Sequence, residues 1–163
     1  MEKIKHKCII PSAAYTLSAS QIKYFCPVHK PPRTGDLIYG EVSAMGQHRT
    51  LESKSARIHT IQEGTRGVFV LGNRYAPDYY ESFLPETLSG TIELAARSGL
   101  VGDVSVKNLQ IASPTLINVL GYVCDADGQV VNTREHVKFA PRKTSRSGRK
   151  RAKLILCVGT AMN

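Results

Sequence analysis

Between residues 35 and 80, apolar and polar positions alternate in short bursts rather than at helical spacing. Leu37, Tyr39, Val42 and Ala44 form one burst, and Ile58 and Ile61 beside Arg57 and His59 form another. Val68, Phe69, Val70 and Leu71 run without a polar break, as a strand covered on both faces does. Gly46, Gly64, Gly67 and Gly72 punctuate the stretch, and Glu63-Gly64-Thr65 and Gly72-Asn73 carry turn chemistry. Short strands at this spacing predict a mainly β fold, a small barrel of the OB or SH3 kind over residues 35–135.

The flanks extend this picture. Residues 1–34 read as a lead-in, with Cys8, Ile9 and Ile10 fitting a first strand. Residues 16–25 predict a short helix capped by Ser18 or Ser20, with Ile22 and Phe25 on one face. Cys26-Pro27 ends it, and Pro31-Pro32 impose extended backbone. Further on, residues 91–96 and 101–106 predict strands around a turn at Gly99, although Leu94-Ala95-Ala96 also fits a helix start. Ser113 as N-cap, Pro114 at the first helical position and Gly121 as a left-handed stop predict a second helix over residues 115–120. Residues 122–125 and 129–131 flank Ala126-Asp127-Gly128 as a hairpin. Asp125 and Asp127 lack the longer loop and closing Glu of a calcium hand.

Size and composition then set bounds. A chain of 163 residues, 42% hydrophobic, supports one domain with a core, or one domain and a tail. No apolar run approaches the roughly 18–20 residues of a membrane-spanning helix, so no membrane partner is expected. The opening MEKIKHKCII lacks the apolar centre of a signal peptide. These features predict a cytoplasmic protein whose Cys8, Cys26, Cys124 and Cys157 are thiols rather than disulfides.

The charge is unevenly placed. Of 22 Lys/Arg, eight lie in residues 136–163, where no acid stands; this leaves 14 against all 13 Asp/Glu in residues 1–135. The body is close to neutral, and residues 136–153 read as a basic linker. Arg142, Lys143, Arg146, Arg149, Lys150, Arg151 and Lys153 form an arm able to bind nucleic acid or an acidic partner. The plainer reading of the arm is a solvated tether.

Candidate chemistry is sparse. His6, Cys8, Cys26 and His29 supply zinc-type ligands, but the one-residue gap of the first pair is unusual, and the plain reading is a buried Cys8 and a loop His29. Asn73, Arg74, Tyr75, Asp78 and Tyr79 make the densest candidate loop. Arg74 would supply charge and Tyr75 or Tyr79 a stacking face. Against this stands a tight turn whose tyrosines pack over the end of the barrel. His48, His59 and His136 form no readable catalytic grouping, and Glu41 with Glu52 would be a carboxylate pair on neighbouring strands. No catalytic residue is assigned, and enzyme activity stays open.

The last ten residues carry a resemblance. Residues 154–158, LILCV, read as a buried parallel strand, and Gly159-Thr160 follow at once. This resembles the start of the variant phosphate-binding loop of dethiobiotin synthetase-like P-loop NTPases. Residues 35–85 and the hairpin at 121–132 resemble an uncharacterised β-barrel-like domain preceding such loops in bacterial proteins. The Gly-Lys-Ser/Thr half of the motif is absent, so the resemblance implies ATP or GTP with Mg²⁺ only if the loop is completed downstream. It divides the chain into a lead-in (1–34), an accessory domain (35–135), a linker (136–153) and the first strand of an NTPase domain (154–163). The function it implies is non-catalytic recognition of a substrate or partner for a nucleotide-dependent protein, with that NTPase domain as partner. The alternative is a stand-alone nucleic-acid-binding module using the basic arm.

Overall fold

The computed structural model describes residues 1–5, 8–27, 30–76, 78–88 and 90–137. His6, His29, the arm from Arg142 to Lys153, the strand expected at 154–158, and Gly159 and Thr160 lie outside the described residues. The described chain is mainly β and contains no α-helix, only three short 3₁₀ turns.

Eleven strands form in chain order: β1 (Glu2–Lys3), β2 (Tyr24–Cys26), β3 (Leu37–Ala44), β4 (Thr50–Glu52), β5 (Ile58–Thr60) and β6 (Arg66–Leu71) come first. After them come β7 (Arg74–Tyr75), β8 (Tyr80–Phe83), β9 (Thr91–Ala96), β10 (Leu100–Lys107) and β11 (Thr115–Cys124). Nine of them share one mixed sheet in the order β1-β2-β11-β3-β6-β10-β8-β7, with β9 bridging β10 and β11. Part of that sheet thereby turns back on itself as a ring, β11-β3-β6-β10-β9. Every pair in the ring is antiparallel except β6 with β10, which run parallel at Val70–Leu100 and Leu71–Val101. β4 and β5 form a separate hairpin.

Period-two burial divides the core in two. Ile38 and Val42 of β3, Phe69 and Leu71 of β6, Ile92 and Leu94 of β9, and Ile117 of β11 pack together within one cluster. Leu37 and Tyr39, Val68 and Val70, and Val123 point the other way, into a second cluster. That second face is covered by the N-terminal segment through Ala14, Leu17 and Ile22. The unbroken apolar run of β6 is thus explained: both of its faces are buried.

Four expectations are corrected. Cys8, Ile9 and Ile10 are not a strand; the first strand is β1, at Glu2–Lys3. Residues 16–25 are not a helix; a 3₁₀ turn at Ala19–Gln21 leads into β2. Ser18 does sit at the N-cap, and its backbone N–H donates to Gln21 Oε1 at 2.8 Å. Residues 115–120 are not a helix either. They open the ten-residue strand β11, and Gly121 lies inside it at a shift of register with β3. Thr115, Ile117 and Val119 are β-branched, and the burial that Thr115 and Ile117 gain beside β3 and β9 outweighs the capping signal of Ser113-Pro114. Cys26 and Cys124 are not thiols: they are joined in a disulfide across β2 and β11, with Cα atoms 6.5 Å apart. The strands expected at 91–96 and 101–106 and the hairpin after Cys124 are present, the last closed by Asp125 N–H donating to Gln129 O. Among the described residues no helix is long and apolar enough to cross a membrane.

Candidate functional site

Three segments distant in sequence meet beside the ring. Residues 46–50 follow β3, the turn after β9 carries Arg97, and β7 and β8 form a hairpin presenting Arg74 and Tyr79. Together they line an open cavity of about 440 Å³, formed by Gln47, His48, Arg49, Thr50, Arg74, Tyr79 and Arg97.

Local chemistry fixes each wall. Thr115, buried at the start of β11, donates its hydroxyl to His48 O at 2.7 Å and accepts from Gly46 N–H at 2.9 Å. Gly46 is required there, because a Cβ at that position would lie 2.1 Å from Ser113 O. Gln47 N–H donates to Ser113 O, and Gln47 Oε1 accepts from Ala112 N–H at 3.2 Å. The second wall turns at Gly99, whose φ of +84° suits a residue without a side chain. In the third wall, β7 and β8 pair at Arg74–Ser82 and Tyr75–Glu81, and Asn73 Oδ1 accepts from Leu84 N–H at the hairpin base.

The side chains lock together on the cavity floor. His48 stacks on Tyr79 with centroids 5.9 Å apart and planes 10° apart, and meets Tyr80 edge-on. Arg74 lies over the Tyr79 ring at 5.7 Å. Both side chains converge on one carbonyl: His48 Nε2 donates to Ala95 O at 3.2 Å, and Arg74 Nη1 donates to the same oxygen. The neutral imidazole thereby keeps its lone pair on Nδ1. Burial holds the His48 pKa below its ordinary value, helped by Arg74 and Arg97 and opposed by the Ala95 hydrogen bond. Burial also lowers the Arg74 pKa, which Tyr79 and Tyr80 partly offset. Burial pushes the Tyr80 phenol up to about 12, and Glu93 adds to the effect; its hydroxyl donates to Ala112 O.

No carboxylate lines the cavity. Among the described residues the ion pairs are Lys30–Asp36, Arg33–Glu135 and Arg66–Glu41, and none involves Arg49, Arg74 or Arg97. Arg49 and Arg97 are exposed. The lining is thus rich in N–H donors and poor in negative charge, so it favours a ligand made of anionic acceptors.

Of the residues singled out in the sequence, the structure gathers Arg74 and Tyr79 here. Tyr75 stands 70% exposed outside the lining, Asp78 is exposed at the hairpin tip, and Asn73 serves the hairpin itself. The Tyr79 ring already carries His48 and Arg74, which leaves Tyr75 as the ring available for stacking. Arg49 and Arg97 were invisible as site residues, because only strand pairing brings them near Arg74: β3 with β11 for Arg49, and β9 with β10, β8 and β7 for Arg97. Glu41 and Glu52 do not face each other: Glu41 accepts from Arg66, and Glu52 belongs to the separate β4–β5 hairpin. Cys26 is held in the disulfide, and no group of three or more His, Cys, Asp or Glu among the described residues could hold a metal. Burial pushes the Cys8 thiol up, opposed by its hydrogen bond with Tyr39. A larger cleft of about 510 Å³ lies beside Cys8, but its Lys54 is committed to Leu17 O at 2.6 Å.

Comparison of the chain with protein-family models, with curated proteins and with solved structures found no match.

Proposed function

We propose that the described residues form a recognition module for a phosphate-bearing partner, with single-stranded nucleic acid the ligand that fits best. One observation carries this reading: three guanidiniums surround a single cavity that holds no carboxylate. Arginine forks bind phosphate oxygens in pairs, and Tyr75 offers an exposed ring on which a base can stack. The ring of five strands with one parallel pair supports the finer reading of a small OB- or SH3-like barrel. Barrels of the OB kind bind oligonucleotides on a strand face and its loops, which is support from fold analogy alone.

In the same proposal the module serves as the accessory part of a P-loop nucleotide-dependent protein, supported by the sequence resemblance at residues 154–160, with the basic arm adding non-specific attraction. No catalytic residue is assigned. The test is fluorescence anisotropy with the 163-residue chain and a labelled single-stranded oligonucleotide. Arg97→Ala and Arg74→Ala are each expected to weaken binding up to about tenfold, near 1.4 kcal/mol. Each should also make the salt dependence shallower by about 0.7 in log–log slope. Unchanged affinity and slope in both variants would remove the cavity from the reading.

A further inference from the structure

Resting on that reading, we propose that the cavity takes a phosphomonoester, the terminal phosphate of a strand end, rather than an internal phosphodiester. The donor count argues for it. Arg49, Arg74 and Arg97 bring three positive charges and three forks to one cavity. Arg74 uses one N–H on Ala95 O and keeps the rest of its fork. Gln47 is already engaged through Oε1, which leaves its amide N–H₂ as a donor, and Thr50 adds a hydroxyl. An internal phosphodiester offers two non-bridging oxygens and a single negative charge. A monoester offers three such oxygens and, above a second pKa near 6, about two charges. The second ligand matches the cluster in both charge and acceptor number.

The shape of the site agrees. Three separate segments wall the cavity: residues 47–50, the turn at Arg97, and the hairpin at Arg74 and Tyr79. The rings of His48 and Tyr79 are stacked on each other in the floor, so the cavity is formed around an anion rather than around an inserted base.

The experiment compares one oligonucleotide in three forms against the full chain: 5′-phosphorylated, 3′-phosphorylated, and with hydroxyls at both ends. The label sits at the end not under test. A nucleoside monophosphate and inorganic phosphate serve as competitors. At least a tenfold preference for one phosphorylated form is expected, and it should disappear in the Arg49→Ala/Arg97→Ala double variant, whose substituted side chains are exposed. Equal affinity for all three forms overturns the end-phosphate inference and leaves nucleic-acid recognition standing. A monophosphate that competes as well as the phosphorylated strand upholds the phosphomonoester and overturns the strand end as its source. Failure of every oligonucleotide to bind, in the presence of monophosphate binding, overturns the nucleic-acid reading itself.

Discussion

His48 is the residue in the cavity whose charge changes nearest neutral pH. Its folded pKa lies below the ordinary 6.5, so folding favours the neutral ring. Below that pH the unfolded chain takes up more protons than the folded one, and stability falls as the pH drops from about 6.5 toward the folded value. His48→Gln should flatten this part of the stability–pH curve, measured by urea denaturation between pH 7 and pH 5. A second residue-scale test lies at Ala56, which turns the β4–β5 hairpin with φ +59°. Left-handed backbone costs a residue with a Cβ about 1–2 kcal/mol, and glycine loses part of that gain to chain entropy. Ala56→Gly should therefore raise unfolding stability by about 0.5–1 kcal/mol. The left-handed position could not be read from Ser-Ala-Arg, because alanine gives no turn signal.

At the scale of elements, β11 carries most of the consequences. It pairs with β2, β3 and β9, and its first residue, Thr115, ties down the 46–48 wall of the cavity. Thr115→Val keeps shape and burial but removes both hydrogen bonds, so a loss of about 1–3 kcal/mol is expected. Ligand affinity should fall with it, measured on a variant shown by circular dichroism to remain folded. Ser113-Pro114 before Thr115 reads equally as a helix start and as a strand entry, and tertiary pairing decides between them. Local chemistry had no access to that pairing. By contrast β6, β9 and β10 were legible, since alternation or an unbroken apolar run needs no knowledge of the neighbour. The Asn73–Tyr79 stretch was legible as a candidate because Arg and Tyr are adjacent in sequence. Arg49 and Arg97 were not, because a cation in a turn reads as solvated until the opposite wall is known.

For the molecule as a whole, the N-terminal segment is a structural part of the core. Ala14, Leu17 and Ile22 cover the outer faces of β3 and β6, and Ile4, Cys8 and Ile10 add to the cover. Removing residues 1–22 exposes that cluster and is expected to yield a chain that does not fold cooperatively, as read from amide dispersion in an ¹⁵N–¹H spectrum. Truncation of residues 138–163 should leave the same spectrum dispersed and weaken non-specific DNA binding, since the arm is the most basic part of the sequence. The disulfide adds a mechanical property. Cys26 and Cys124 stand 98 positions apart, and Arg49, Arg74 and Arg97 all lie between them. A tensile force applied to the two chain ends passes through the sulfur bridge and bypasses the loop that holds the cavity. In a single-molecule stretching experiment the oxidised chain should give up only its outer segments, and adding a reductant should release about 330 Å of further length at roughly 3.4 Å per residue.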